Sequence, residues 1–254
     1  MKIIHISDTH TNHHNIAFNK ALTQLIHESQ PDVIIHSGDF TNIGRKSEVV
    51  DFCQWFSKLA IPNKIFIAGN HDRCFDPKYG SDSEFEHPSF DESNPTTPPW
   101  LQDILKTYSY DSRNLIYLEN SSVIIDGVCF YGTPWTPWYG GDFWAFNYHR
   151  QSDKSKEIIK NIPSSIDVLI THGPPSGILD FVVKRGLYDS VGCSELMHAI
   201  ETKMSNIKLH CFGHIHEGYG QILRLINDSP VLFNNGSTSD IRYQPINPPI
   251  LIEL

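Results

Sequence analysis

The stretch VIIHSGD, residues 33–39, runs from a strand-like apolar segment directly into polar residues. Val33 to Ile35 is short and β-branched, which is typical of a strand covered on both faces. Gly38 lets the chain turn sharply, so the side chain of Asp39 is presented just beyond the strand end. An apolar run with a polar tail is therefore the pattern from which the fold is predicted.

The same pattern occurs four more times along the chain. Its other polar tails are Ser7-Asp8-Thr9-His10, Gly69-Asn70-His71-Asp72, Thr171-His172-Gly173 and Gly213-His214-Ile215-His216. Apolar residues at helical spacing separate the first three runs. The intervals from Asp8 to Asp39 and from Asp39 to Asn70 are both 31 residues, close to the ~30 residues of one βαβ unit. The sequence therefore predicts an α/β fold with parallel strands between layers of helices.

The rest of the chain is predicted to continue this organisation as one domain over residues 1–254. Further helices are expected at 101–108, 152–161 and 193–204, and strands at 167–171, 208–212 and 250–254. Asp126-Gly127 is the best hairpin signal, and it falls between strands within 115–132. Residues 73–99 are interpreted as a long surface loop because they are rich in Asp, Glu, Ser and Pro.

Composition and charge exclude several classes of function. The 254 residues carry a net charge of −9, which disfavours stable nucleic-acid binding. No apolar run approaches the ~20 residues that cross a membrane, and residues 1–6 do not resemble a secretory leader. The five cysteines include no CxxC pair, so neither disulfides nor a cysteine zinc site is expected. These features predict a cytoplasmic protein; nothing predicts its oligomeric state.

The polar tails predict a metal site. In open α/β sheets, ligands bind beyond the carboxyl ends of the strands. Asp8 and His10 are two residues apart, as are His214 and His216, so in an extended segment each pair faces one side. The candidate ligands are Asp8, His10, Asp39, Asn70, His172, His214 and His216. Nitrogen and oxygen ligands without thiolate suit two divalent or trivalent ions such as Mn, Fe or Zn, which one bridging carboxylate would hold ~3.5–4 Å apart.

The remaining histidines are interpreted by their position in the pattern. His5, His36 and His210 lie within strands and are predicted to be core residues. His13, His14, His27, His87 and His198 are predicted to be surface residues. Arg45 and Arg150 are interpreted as solvated, although either could contact a phosphate.

These motifs resemble the calcineurin-like metallophosphoesterase superfamily, and more closely its metallophosphoesterase-domain-containing members related to class III cyclic nucleotide phosphodiesterases. The resemblance rests on the five polar tails in their order and covers almost the whole chain. It extends to His36 through Thr41, Ile67 through His71, Gly132 through Trp138, Thr171 through Pro175, Val191 through Cys193, Gly213 through Gly220 and Asn247 through Ile250. Asp72 departs from the pattern, because close relatives usually have Glu there. His214 is present where some animal members have Gly, which favours an intact second metal site.

The resemblance implies a four-layer αββα sandwich of two mixed sheets flanked by helices, with the metals between the sheets. It assigns one ion to Asp8, His10, Asp39 and His216. It assigns the other ion to Asp39 (bridging), Asn70, His172 and His214. His71 would be the catalytic histidine, which stabilises the phosphoryl group attacked by a metal-bridging hydroxide and protonates the leaving oxygen.

The predicted function is a phosphodiesterase acting on small phosphoesters, including nucleotides and their 2′,3′- or 3′,5′-cyclic forms. Trp138 and Tyr139, in the aromatic segment 133–149, are the candidates for stacking on a nucleobase; the segment could equally be a packed surface loop. The alternatives are a phosphomonoesterase on the same site and a non-catalytic scaffold, although a scaffold would be expected to have lost ligands. A metal amidohydrolase is disfavoured because it usually begins with His-x-His, whereas here that motif comes last.

Overall fold

The computed structural model describes residues 1–79, 97–109, 114–184 and 186–254. Within these ranges the helices are α1 (Ile16–Ser29), α2 (Lys46–Ser57), α3 (Pro99–Ser109), α4 (Asp153–Asn161) and α5 (Ser194–Lys203). The strands are β1 (Lys2–Ile6), β2 (Val33–His36), β3 (Asn63–Phe66), β4 (Leu115–Tyr117), β5 (Ser121–Ile125), β6 (Val128–Thr133), β7 (Thr136–Pro137), β8 (Asn147–Tyr148), β9 (Val168–Thr171), β10 (Phe181–Lys184), β11 (Leu187–Ser190), β12 (Leu209–Phe212), β13 (Gly220–Ile226), β14 (Ser229–Asn235) and β15 (Ile250–Glu253).

Two large mixed sheets form the centre of the molecule. The first has the strand order β15-β1-β2-β3-β4; β1 to β4 are parallel, and β15 pairs antiparallel with β1. The second has the order β13-β14-β12-β9-β6-β5. Its four inner strands are parallel, and hairpins add the antiparallel edge strands β13 and β5. The predicted turn at Asp126-Gly127 joins β5 to β6.

Successive side chains of each apolar strand point alternately into two different cores. Both faces of the strand are therefore buried, which explains why its sequence is continuously apolar. In β2, Val33 and Ile35 face the other sheet, whereas Ile34 packs toward the helices. Leu169 in β9 likewise packs toward its own helices, while its neighbours Val168 and Ile170 face the first sheet. One core therefore lies between the sheets, a second beneath α1, α2 and α3, and a third beneath α4 and α5. The predicted αββα sandwich is confirmed.

Helix boundaries follow local capping chemistry. The side chain of Asn15 accepts a hydrogen bond from Phe18 N at 3.1 Å at the start of α1, and Ser152 does the same for Ser155 N at 3.1 Å at the start of α4. Such caps satisfy amide groups that have no partner within the helix. In the described ranges, the helices are all too short or too polar to span a bilayer.

Three histidines predicted to be core residues are buried and hydrogen-bonded. His5 lies between the sheets with Nε2 2.9 Å from Ser37 Oγ. His36 bonds Thr9 Oγ1 through Nε2 at 3.0 Å, and His210 bonds Thr171 Oγ1 through Nε2 at 2.8 Å. These partners explain how imidazoles are tolerated in strands that otherwise carry aliphatic side chains.

The prediction that His13 lies at the surface is wrong. Its side chain is fully buried, because a short 3-10 turn packs it onto α2. The ring stacks on Trp55 at 4.9 Å between centroids, and Nε2 lies 3.0 Å from Asp51 Oδ2. His14 and His198 are exposed, as predicted.

The structure of two segments differs from what the sequence predicts. Residues 73–79 form two 3-10 turns whose Cys74, Phe75 and Tyr79 are buried, so this part of the predicted surface loop belongs to the core. Residues 80–96 of that loop, and with them His87, lie outside the described residues, and Pro99 begins α3. The hairpin of β10 and β11 was not predicted, and it carries exposed apolar residues such as Leu187.

Candidate metal centre

The five polar tails lie at the carboxyl ends of five strands in the two sheets. Asp8 and His10 follow β1, Asp39 follows β2, and Asn70 and His71 follow β3 in the first sheet. Across from them, His172 follows β9 in the second sheet. His214 and His216 follow β12 there.

The seven predicted ligands come together at this shared edge. Three sets of side chains have ligand atoms within 4.8 Å of one another: Asp8, His10 and His216; His10, Asp39 and His71; and Asp39, His172 and His214. Asn70 joins them through Oδ1, which lies 2.9 Å from Nε2 of His172.

Glycines let the chain segments approach this closely. A Cβ on Gly69 would collide with Asp39 Oδ1 and would lie 2.7 Å from His172 Cε1. A Cβ on Gly213 would collide with Asp8 Oδ2 and Ser7 Oγ. Glycine is therefore required at both positions by contact with site residues.

Left-handed backbone conformations are concentrated in the site. The φ angles of Asp8, His10, Asp39 and His214 are 51°, 42°, 56° and 68°. Such conformations are uncommon for residues other than glycine, and they persist where the surrounding structure imposes them. The fold thus holds four of the predicted ligands in strained positions.

Four histidines of the site share the same orientation. Nδ1 of each ring faces a backbone carbonyl: Thr41 O for His10 (3.3 Å), Asn42 O for His71 (2.7 Å), Ser37 O for His172 (3.0 Å) and Asp240 O for His216 (2.8 Å). Because a carbonyl can only accept a hydrogen bond, Nδ1 carries the proton in each ring. Nε2 is then the ring atom left to contact a metal, which is the usual arrangement of metal-binding histidines.

The facing histidines His10 and His216 provide a direct test of whether a cation fits. Their Nε2 atoms are 3.4 Å apart, although in both rings the carbonyl contact places the proton on Nδ1. A second proton on His216, whose pKa is raised, can lie between these two atoms in the metal-free protein, and a bound cation would take the place of that proton. The donor set therefore suits a transition-metal ion, which accepts imidazole nitrogen readily.

Asp39 lies at the centre of the candidate site. Its Oδ2 is 3.3 Å from Nε2 of His172 and 3.9 Å from Nε2 of both His10 and His71. Its Oδ1 accepts a hydrogen bond from His71 N at 2.8 Å. Asp39 is thus the carboxylate shared by two of the three sets, which is the position expected of a bridging ligand.

The other carboxylate of the site, Asp8, is fixed from three directions. Its Oδ1 lies 3.5 Å from Nε2 of His216. Its Oδ2 accepts hydrogen bonds from Ser237 Oγ at 2.9 Å and from His214 N at 3.0 Å. Both sheets and the segment after β14 therefore determine where this carboxylate lies.

The electric field at the site favours positive charge beside the two carboxylates. Burial disfavours a charged Asp39, but the neighbouring histidines His172, His71 and His10 together outweigh it and hold the carboxyl pKa well below its ordinary value. Burial alone would lower the pKa of His172 and His216, yet contacts with Asp39 and Asp8 raise both to about 9. Burial dominates at the other two rings and lowers the pKa of His10 to about 4 and of His214 to about 3.

Asp72 supports the site without joining it. One carboxylate oxygen accepts from the amides of Asp39 and Gly69, both at 2.8 Å, and the other accepts from Thr41 N at 2.9 Å and Thr41 Oγ1 at 2.7 Å. Burial, and then the nearby charge of Asp39, raise the pKa of Asp72 to about 8. This role was not predicted, although the polar tail Gly69-Asn70-His71-Asp72 contains the residue.

A cavity of about 280 Å³ opens above the clustered side chains. Tyr139, one of the two aromatic candidates, lines it, and its ring lies 6.5 Å from that of His214. Trp138 does not line this cavity: its Nε1 donates to Asp142 Oδ1 at 3.0 Å, and its ring lies beside His149. Of the two aromatic candidates, Tyr139 therefore lines the cavity at the site and Trp138 does not.

Two other aromatic residues of the cavity were missed by the sequence analysis. Trp144 lies over His71 with 4.2 Å between ring centroids. Tyr243 lies against His10 at 4.7 Å. Trp144 belongs to the aromatic segment already singled out, whereas Tyr243 follows no motif that would have marked it. Arg45 and Arg150 do not line the cavity.

Comparison with known proteins matches these features to a family. The family model described as calcineurin-like phosphoesterase matches residues 1–218. The chain is 38% identical to human metallophosphoesterase domain-containing protein 1 over 100% of its own length and 71% of that protein, and the mouse protein gives the same values. It is 31% identical to the Caenorhabditis elegans UPF0046 protein K07C11.7, covering 97% of this chain and 70% of that one.

Solved structures extend the comparison to the fold. The structure of TT1561 from Thermus thermophilus superposes with a TM-score of 0.58 at 14% sequence identity, covering 94% of this chain and 91% of that one. The structure of a 5′-nucleotidase precursor from the same organism has a TM-score of 0.50 at 14% identity and covers 92% of this chain and 48% of that one. At these identities the likeness concerns the fold.

Proposed function

The chain belongs to the calcineurin-like phosphoesterase family, and from this premise we propose that it is a metal-dependent phosphodiesterase of small substrates, nucleotides and their cyclic forms included. The observation that carries the proposal is the convergence of Asp39 and six other oxygen and nitrogen ligands at one edge of the two sheets. We further propose that residues 1–254 act as one domain, since both sheets contribute ligands.

The proposed ligands divide into two sets that share Asp39. Asp8, His10, Asp39 and His216 would hold one ion, and Asp39, Asn70, His172 and His214 would hold the other. The orientation of Nε2 in His10, His172 and His216 fits this assignment. When bound, Mn, Fe or Zn ions supply Lewis acidity and activate water for attack on phosphorus.

His71 is the proposed catalytic residue. Its Nδ1–H donates to Asn42 O at 2.7 Å, and its side chain is 12% exposed toward the cavity. The fixed Nδ1–H leaves Nε2 to contact a phosphoryl oxygen. When Nε2 also carries a proton, it can stabilise the charge that develops on that oxygen or protonate the leaving group.

A phosphomonoesterase on the same site is the alternative activity, because the ligands determine phosphoester chemistry rather than the leaving group. A non-catalytic scaffold is less well supported, since all seven proposed ligands and His71 are present and converge. The size of the cavity favours a small molecule, because small-molecule sites usually measure about 300–1,000 Å³.

The test is hydrolysis of a substrate panel by metal-stripped protein to which Mn, Fe or Zn is restored. The panel contains a phosphomonoester, bis(p-nitrophenyl) phosphate, and 2′,3′- and 3′,5′-cyclic nucleotides. We expect turnover of diesters that depends on metal and is absent in Asp39→Ala. Preference for the monoester would move the enzyme to the alternative activity, and metal binding without any turnover would favour the scaffold.

A further inference from the structure

The turn at residues 240–244 contributes a wall of the cavity from outside the part of the chain that the family model matches. That model ends at residue 218, yet Ile241 and Tyr243 line the cavity together with the proposed ligands. The general phosphoester chemistry is assigned to residues before this point. The turn is therefore placed where it can contact a bound substrate.

Tyr243 lies close to three histidines of the site. Its ring centroid is 4.7 Å from that of His10, 5.5 Å from that of His216 and 6.1 Å from that of His71. The side chain nevertheless remains 45% exposed. An aromatic ring so near the histidines of the site, and still open to the cavity, can contact the organic part of a bound phosphoester.

The backbone holds Tyr243 in an unusual conformation. Its φ is 58°, in the left-handed region that residues with bulky side chains seldom adopt. Asp240 fixes the turn, because its Oδ1 accepts from Arg242 N and Gln244 N, both at 2.9 Å, and its O accepts from Tyr243 N at 2.9 Å. Such strain persists where the surroundings impose it, and it is concentrated at functional sites.

The same turn also orients a proposed ligand. Asp240 O accepts the hydrogen bond from His216 Nδ1 at 2.8 Å. The position of Tyr243 is therefore linked to that of His216 through a single residue. Among the residues that the structure describes, none makes a hydrogen bond to the Tyr243 hydroxyl, so the phenol is not committed to a structural contact.

The other walls of the cavity indicate which organic group would fit. Tyr139 and Trp144 are aromatic and Val182 and Ile241 are aliphatic, while Asn147, Lys184 and Glu217 add polar and charged groups to the lining. A flat, apolar group would replace water at these surfaces, and stacking of a nucleobase on an aromatic side chain is a recognised source of affinity. A flexible polar chain would gain less from the same surfaces.

We propose that Tyr243 is a specificity-determining residue whose ring packs against the nucleobase of a bound nucleotide while the phosphate group lies at the metal centre. This inference rests on the proposed phosphoesterase function. It adds the residue that discriminates between organic substituents of the phosphoester. It concerns affinity for the base, and it assigns Tyr243 no part in the attack on phosphorus.

The experiment compares two phosphate monoesters that differ in the base, adenosine 5′-phosphate and ribose 5-phosphate. Their dissociation constants for the metal-loaded protein are measured by calorimetry, with phosphate release monitored so that turnover is not mistaken for binding. Three variants accompany the wild type. Tyr243→Asn removes the ring but suits a left-handed backbone, Tyr243→Phe keeps the ring, and Tyr188→Asn alters a tyrosine that is 79% exposed and lies outside the cavity lining.

We expect the wild type to bind adenosine 5′-phosphate more tightly than ribose 5-phosphate. Tyr243→Asn should reduce this preference about tenfold, the scale of one base–aromatic stack, whereas Tyr243→Phe and Tyr188→Asn should retain it. Equal affinities in the wild type, or an unchanged preference in Tyr243→Asn, would overturn the inference. Hydrolysis of bis(p-nitrophenyl) phosphate by the same preparations tests the proposed function separately, because binding of the two monoesters is measured whether or not the diester is cleaved.

Discussion

At the scale of single residues, the position of one proton determines what each site histidine can do. Backbone carbonyls hold the proton on Nδ1 of His10, His71, His172 and His216. Three of these rings are proposed ligands, and His71 is the proposed catalytic group. The same local geometry therefore serves two proposed roles, and the separation of His71 from the ligands rests on the resemblance to known phosphoesterases, because Nε2 of His10 and Nε2 of His71 both lie 3.9 Å from Asp39 Oδ2.

Replacing His71 tests that separation. His71→Ala should lose most turnover, about 10²-fold or more for a group that acts by proton transfer, while keeping its metal content. Asp39→Ala should lose both, because Asp39 is the proposed bridge. Metal content by elemental analysis and initial rates on the diester provide the measurement. Wild-type turnover in His71→Ala would show that the assigned role is wrong.

Replacing Asp72 tests a residue that was not predicted to matter. Both of its oxygens accept hydrogen bonds from N–H or O–H donors. Above pH 8, where Asp72 is ionised and can only accept, Asp72→Asn must turn an amide donor toward one of these donors, and an unsatisfied buried group costs about 1–3 kcal/mol. We expect a lower midpoint in urea unfolding and weaker metal retention. Stability and metal content equal to those of the wild type would contradict this role.

Some residues of the candidate site could be predicted from the sequence, and others could not. The convergence of the candidate ligands could be predicted because Asp, Asn and His directly follow five apolar runs, the first three of them at a regular interval. Tyr243 and Trp144 could not, since an aromatic residue in a loop has the same pattern whether it lines a cavity or packs on the surface. His13 was misjudged because the contact that buries it, with Trp55, joins residues far apart in the sequence.

At the scale of elements, the strand ends carry the site because glycines let them converge. The five strands were predictable from their apolar runs, and most helices from their spacing. The hairpin of β10 and β11 was not, because three of its apolar side chains, Phe181, Val183 and Leu187, are exposed, and burial is what makes periodicity informative.

Adding a methyl group at one strand end tests this packing. Gly213→Ala would place Cβ against Asp8 Oδ2 and Ser7 Oγ, so we expect displacement of Asp8 and loss of metal. Gly127→Ala is the matched control: its φ is 81°, but a Cβ there meets nothing within 4 Å. The control should cost about 1 kcal/mol of stability from backbone strain alone and keep its metal. Elemental analysis of both variants decides the matter, and full metal content in Gly213→Ala would contradict the packing argument.

At the scale of the whole molecule, three layers of core explain both the fold and its predicted response to acid. The alternation of side chains between cores was visible in the sequence as continuous apolar runs. The packing of the two sheets against each other was implied by the resemblance to known phosphoesterases, and the apolar runs alone did not predict it. The predicted cytoplasmic location stays a prediction.

Buried histidines should make the metal-free protein sensitive to acid. Burial lowers the pKa of His210 and His36 to about 3 and that of His5 to about 4, against about 6.5 in an unfolded chain. Below pH 6.5 the unfolded chain therefore binds protons that the folded chain cannot. Stability should fall as the pH drops from 6.5 toward 4, by up to about 1.4 kcal/mol per pH unit for each histidine.

His210→Gln isolates one contribution to this acid sensitivity. The variant should be less stable at pH 7, because the bond to Thr171 is altered, yet its stability should fall less steeply with acid. Urea unfolding at pH 7, 6 and 5 in the presence of a chelator measures both slopes. Equal slopes for the variant and the wild type would mean that His210 does not remain neutral in the folded state.

The distance along the chain between the two halves of the site has a consequence for biosynthesis. His10 and His216 face each other across 206 residues of sequence, and Ser237 reaches Asp8 from 229 residues away. At about 5–20 residues per second, a ribosome needs about 10–40 seconds to synthesise the stretch from His10 to His216. During that time the nascent chain presents Asp8, His10, Asp39 and Asn70 without their later partners, so the full set of proposed ligands cannot assemble until His216 has been synthesised.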